Sequence, residues 1–75
     1  MDAQKLGAFI ARCRRERQMT QAELAKKLQV TDKAVSRWER GVGFPDINTL
    51  EPLADALGVS VLVIRLGFRN FKQRA

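Results

Sequence analysis

The sequence predicts an all-α fold of five short helices. Three observations carry that reading. Apolar residues recur at spacings of three and four in five successive segments, which is one face of a helix. Helix start and stop residues bracket most of these segments: Thr20, Thr31, Asp46 and Ser60 before them, Gly41, Gly58 and Gly67 after them. No segment shows the strict alternation of a half-buried strand.

The first helix is expected at residues 3–17, with Leu6, Ile10 and Cys13 on one side, Phe9 beside them, and Arg12, Arg15 and Glu16 opposite. The second, residues 21–28, opens with Thr20-Gln21-Ala22-Glu23, a capping box in which Thr and Glu stand three apart. Leu24, Ala25 and Leu28 form its inner face, and Ala25 is small enough for a crossing helix to approach. The third, residues 32–40, follows Thr31 as N-cap and turns Val35 and Trp38 inward. Its other face, Asp32, Lys33, Ser36, Arg37 and Arg40, is entirely polar. The fourth, residues 47–57, has Leu50, Leu53, Ala54 and Leu57 at helical spacing. Pro52 falls inside it, and proline suits only a first turn. A separate short turn is therefore expected at Ile47–Leu50, with regular helix after it. The fifth covers residues 60–66. Residues 1–67 read as one domain and 68–75 as a basic tail carrying Phe68 and Phe71.

The chain has 75 residues and a net charge of +6, with a pI near 10.5. That length suits one domain with a small core, and that charge suits an anionic partner. There is no His, and Cys13 is the one cysteine, so neither a Cys/His zinc site nor an intrachain disulfide can form. The commonest catalytic base is missing. No cofactor and no enzymatic activity are expected. The most apolar run, Val59 to Ile64, is six residues, far short of a membrane span. A cytoplasmic, nucleoid-associated protein with no membrane partner is the expectation. Charge is also uneven: ten of the 14 basic residues lie between Lys5 and Arg40, and none between Gly41 and Ile64.

The informative unit is Gln21 to Gly41. Two short helices joined by Gln29-Val30-Thr31 form a helix-turn-helix pattern. The second presents a polar face of a size that fits the major groove of B-DNA. The run MTQAELAKKLQVTDKAVSRWERG, followed by PDINTLEPLADALGVS, resembles the helix-turn-helix family of Cro and the lambdoid phage repressors, over Leu6 to about Gly67.

The resemblance implies a compact five-helix, lambda-repressor-like domain and sequence-specific binding of double-stranded DNA. It implies a transcriptional regulator, most simply a repressor acting as a homodimer on a palindromic operator. By position, Thr31, Asp32, Lys33, Ser36 and Arg37 match the base-reading residues of the recognition helix. Gln21 and Arg40 match phosphate contacts, Arg14 stands near one, and Arg14 with Glu39 matches an ion pair linking helix one to helix three; the Gly41–Pro45 loop carries no basic residue, so its backbone N–H groups, with Asn48, are expected to contact phosphate. Lys33 and Arg37 suit guanine O6 and N7. Asp32 either touches a base, stabilises the helix N-terminus or hydrogen-bonds Gln21. Trp38 and Cys13 are expected in the core, and Gly41-Val42-Gly43 in a turn.

The departures are informative. Gln18 and Gln29 stand where such domains often have glycine at a helix end. A positive φ at Gln29 costs on the order of 1 kcal/mol. Helix five is apolar on more than one face, more than a single core can bury. Val61 and Ile64 are expected inward, with Val63, Leu66 and Phe68 at a dimer contact or else beneath the chain's own tail. The alternative function is an antitoxin-type DNA-binding module whose helix five and tail hold a protein partner. Many relatives also carry a further C-terminal domain.

Overall fold

The computed structural model describes residues 2–65. Over these it is all-helical: α1 Ala3–Glu16, α2 Gln21–Leu28, α3 Asp32–Glu39, α4 Ile47–Leu57 and α5 Val61–Arg65. The first four start where a side chain can accept the unpaired N–H groups of the first turn. Asp2 accepts from Gln4 and Lys5 at the start of α1, a cap that the sequence reading did not single out. Thr20 and Glu23 close a complete capping box on α2. Thr31 accepts from Ala34, and Asp46 from Asn48.

The same four helices end alike. At each end one N–H beyond the helix reaches back five residues and the N–H before it reaches back three. The pairs are Met19 to Arg14 and Gln18 to Arg15, Val30 to Ala25 and Gln29 to Lys26, Val42 to Arg37 and Gly41 to Trp38, and Val59 to Ala54 and Gly58 to Asp55. This is the Schellman motif, which needs one left-handed residue. Gly41 and Gly58 fill that position in two of them, at φ 77° and 72°. Gln18 and Gln29 fill it in the others, at φ 58° and 59°, so the strain anticipated for Gln29 is present twice.

Pro52 does not split α4, contrary to the sequence expectation: the helix runs unbroken from Ile47 to Leu57. The carbonyl whose partner proline removes is four residues back, at Asn48. Asn48 is exposed in the first turn, where water can replace the lost N–H, and Pro52 itself is exposed. The usual interior penalty is therefore relieved.

All five helices contribute to one core. Leu6 and Ile10, Leu24, Val35, Leu53 and Ile64 are each less than 2% exposed. Trp38 and Cys13 are buried in the same cluster, as expected. On α5, Ile64 is buried and Val61 half-buried against the core. Val63 is half-buried there too, whereas Leu62 is 60% exposed. The apolar side chain that α5 offers to solvent is thus Leu62 rather than Val63. Leu66 and Phe68, the other two expected dimer contacts, lie outside the described residues.

Candidate nucleic-acid interface

The helix-turn-helix unit is α2, the Gln29–Thr31 turn and α3. Leu24, Ala25 and Leu28 of α2 and Val35 and Trp38 of α3 are buried in the common cluster. Burying this side turns the polar side of α3 outward: Thr31, Asp32, Lys33, Arg37 and Arg40 are exposed, and Ser36 is half-buried. The hydroxyl of Thr31 is engaged as the N-cap of α3, accepting from the Ala34 N–H at 3.1 Å. Asp32 lies in that first turn, where a carboxylate favours the helix dipole.

Two of the cations on this face have partners within the domain. Arg40 Nε donates to Ser36 Oγ at 3.3 Å. Arg37 Nη2 reaches the Val42 carbonyl at 3.5 Å, a long contact made possible by the turn after α3. The Schellman closure at Gly41 brings that carbonyl back over the last turn of the helix. This contact joins residues five apart across a loop, so helical spacing could not reveal it.

Behind the face lies a buried polar latch. Arg14 Nε donates to Glu39 Oε2 at 2.7 Å and Arg14 Nη2 to Glu39 Oε1 at 3.0 Å, a bidentate pair. Arg14 Nη1 donates to the Met19 carbonyl at 2.7 Å, and Gln21 Nε2 to Glu39 Oε1 at 2.9 Å. The latch joins α1, the α1–α2 loop, the start of α2 and the end of α3. The Arg14 and Glu39 side chains are only 11% and 6% exposed. Burial pushes the Glu39 carboxyl up, but the hydrogen bonds from Arg14 and Gln21 outweigh it and hold it below the usual range. Arg14 is raised by its hydrogen bond to Glu39. A pair this well supplied with donors offsets its desolvation, whereas either partner alone would be a stranded charge.

Two of the expected site residues belong to the latch. Arg14, expected both in the ion pair and near a phosphate, has all three guanidinium nitrogens committed inside the domain and is 9% exposed. Gln21 is half-buried and bound to Glu39 rather than to Asp32. Asn48 is exposed at the start of α4, where its N–H meets the Asp46 carboxylate at 3.2 Å.

The sequence reading missed a second feature that fixes α3. A Cβ at Gly7 of α1 would collide with the Trp38 carbonyl oxygen and come within 2.9 Å of that of Glu39. A Cβ at Gly41 would come within 2.7 Å of Gln4 Cγ. The last turn of α3 therefore lies directly on the first half of α1. The signal was Gly7 itself: glycine inside a helix costs about 1 kcal/mol relative to alanine, so its presence there marks a close backbone approach.

Comparison with known proteins agrees with this geometry. Residues 10–64 match the family model described as helix-turn-helix. An HTH-type transcriptional regulator of Sinorhizobium fredii, y4dJ, is 44% identical over 61 residues, covering 80% of this chain and 79% of that protein. The immunity repressor protein of Bacillus phage phi105 is 37% identical over 59 residues, covering 79% of this chain. The chain spans only 41% of that repressor's length. Among solved structures, the clp gene regulator ClgR of Corynebacterium glutamicum superposes with a TM-score of 0.79 at 28% identity. That match covers 89% of this chain and 71% of ClgR. The restriction-modification controller protein C.Esp1396I superposes at 0.74 and 28% identity, covering 97% and 96% of the two chains. A bidentate latch behind a polar α3, and relatives that are regulators and repressors, lead to one conclusion: the chain belongs to the helix-turn-helix family of transcriptional regulators.

Proposed function

We propose that the protein binds double-stranded DNA sequence-specifically and represses transcription by occupying an operator. The observation that carries this is the outer face of α3. Lys33, Arg37 and Arg40 stand exposed there, on a helix held to α1 by the Arg14–Glu39 latch. An exposed helix of this kind suits the major groove. Lys33 and Arg37 read bases, with Asp32 and the partly accessible Ser36 beside them. Thr31 contributes mainly by capping the helix. Arg40, the N–H groups at the start of α2 beside Gln21 and the exposed Asn48 side chain at the start of α4 supply phosphate contacts.

The protein acts as a homodimer on a palindromic site whose half-sites are about 34 Å apart, one turn of DNA. The exposed Leu62 on α5 supports a contact between copies there. The same side chain suits the second reading, an antitoxin-type module with a protein partner, which a copurifying partner would favour.

Selection of binding sites from random DNA should return a palindrome. On that site Arg37→Ala should lose roughly 1–3 kcal/mol and relax one base position, whereas replacing a phosphate contact weakens all sequences alike. If Arg37→Ala bound specific and random duplexes as the wild type does, the assignment of α3 as the reading helix would fall.

A further inference from the structure

Helix α1 carries the cations Lys5, Arg12, Arg14 and Arg15, and Arg17 follows at its end. They divide by direction. Arg14 is enclosed in the latch. Arg12 and Arg17 border a groove between α1 and the corner where α4 meets α5, which no α2 or α3 residue lines. There Arg12 pairs with Glu16 at 3.3 Å, and the Arg17 guanidinium lies against Gly58. Lys5 stands seven residues before Arg12, on the same side of the helix.

Arg15 is turned the other way. It follows Ala11 by four residues and Gln4 by eleven, spacings that stay on one flank of a helix. Gln4 lies against Gly41, just beyond the end of α3, and Ala11 is buried. That flank therefore borders α3. Arg15 is exposed, and neither ion pair of α1 uses it. Its charge still reaches the latch, where it helps to hold the Glu39 carboxyl low. Arg14 alone balances Glu39, so Arg15 leaves this corner one positive charge in excess, on an exposed side chain. The start of α2 borders the same carboxylate, since Gln21 Nε2 donates to Glu39 Oε1 at 2.9 Å. An anion that approaches the start of α2 meets Arg15 on the way.

We infer that Arg15 grips the DNA backbone phosphate that flanks the start of α2, the place expected of Arg14. A guanidinium suits it, because its planar fork meets two phosphate oxygens at once. Such a contact sets affinity and register and carries no base choice. This assignment rests on α3 binding DNA.

The full-length protein, Arg15→Gln, Arg15→Lys and Arg12→Gln are titrated against the selected operator and a random duplex by fluorescence anisotropy over a range of salt concentrations, with folding followed by urea. Each phosphate neutralised by a cation adds about 0.9 to the slope of log affinity against log salt. Arg15→Gln should lower that slope by about one. It should weaken both duplexes alike, by roughly tenfold at low salt, the size of one charge-assisted hydrogen bond. Arg15→Lys should keep the slope, and Arg12→Gln should match the wild type. An unchanged slope in Arg15→Gln overturns the contact and leaves the assignment of α3 standing. An equal loss in Arg12→Gln also overturns it, because net charge alone would then be responsible. A wild type that binds neither duplex overturns the assignment of α3, and this contact with it. Substitution of the exposed Arg15 should leave the urea midpoint unchanged. If Arg15→Gln lowers it, Arg15→Met, which keeps the aliphatic stem, is measured instead against the same expected slope.

Discussion

The stretch from Asp2 to Arg40 and the stretch from Gly41 to Ile64 are built on opposite principles. The first carries ten basic and five acidic side chains, the second three acidic and no basic ones. Each of the four large apolar side chains that stand exposed among the described residues, Val42, Phe44, Ile47 and Leu62, lies in the second stretch. The first stretch is also tied together by buried polar bonds and by backbone contact at Gly7. The second is held by apolar packing of Leu53, Ala54, Leu57 and Ile64. The difference teaches a division of labour. A helix that reads a ligand must be held at a defined angle, which directional bonds do well. A scaffold needs only burial, which is non-directional.

That division can be broken first at the latch. Glu39→Ala strands the buried Arg14 and should cost about 3 kcal/mol. The total for a domain of this size is roughly 4–11 kcal/mol, so urea unfolding should show a large drop or outright loss of folding. The latch also sets an acid dependence. The Glu39 carboxyl titrates lower in the folded protein than its ordinary 4.5. Its contribution is therefore complete above that value and is lost as pH falls through the folded one. Glu39→Gln should flatten the loss of stability in that acid range.

Gly7→Ala comes next. A methyl directed at the Trp38 carbonyl oxygen must push α3 away from α1, at a cost of about 2 kcal/mol for overpacking. Calorimetry would show it, and a gain in melting temperature from alanine's helix propensity would refute the close contact. In the opposite direction, Gln29→Gly should stabilise by up to about 1 kcal/mol by relieving a left-handed glutamine. Ile47→Ser bounds the other half. Ile47 is 74% exposed, so the change should stay within about 0.5 kcal/mol and leave DNA affinity as it was.

The sequence by itself determined what depends on neighbours within a few residues. The capping box at Thr20 and Glu23, the caps at Thr31 and Asp46 and the stop at Gly58 all close within one turn, so short windows of residues carry them. The inward positions of Val35 and Trp38 follow from helical period alone. The resemblance to phage repressors supplied the Arg14–Glu39 pair, which spacing could not, because its members are 25 residues apart.

Only the tertiary structure decided the rest. It showed that Arg14 is enclosed by its bonds, that Gln21 turns to Glu39, and that Gly7 is the seat of α3. It turned Leu62 outward and Val63 against the core, a choice that period cannot make on a helix apolar on several sides. It kept α4 whole through Pro52, because the carbonyl left without an N–H partner is in an exposed first turn. In each case the outcome rests on what a second element brings to the residue, and that pairing exists only once the chain has folded.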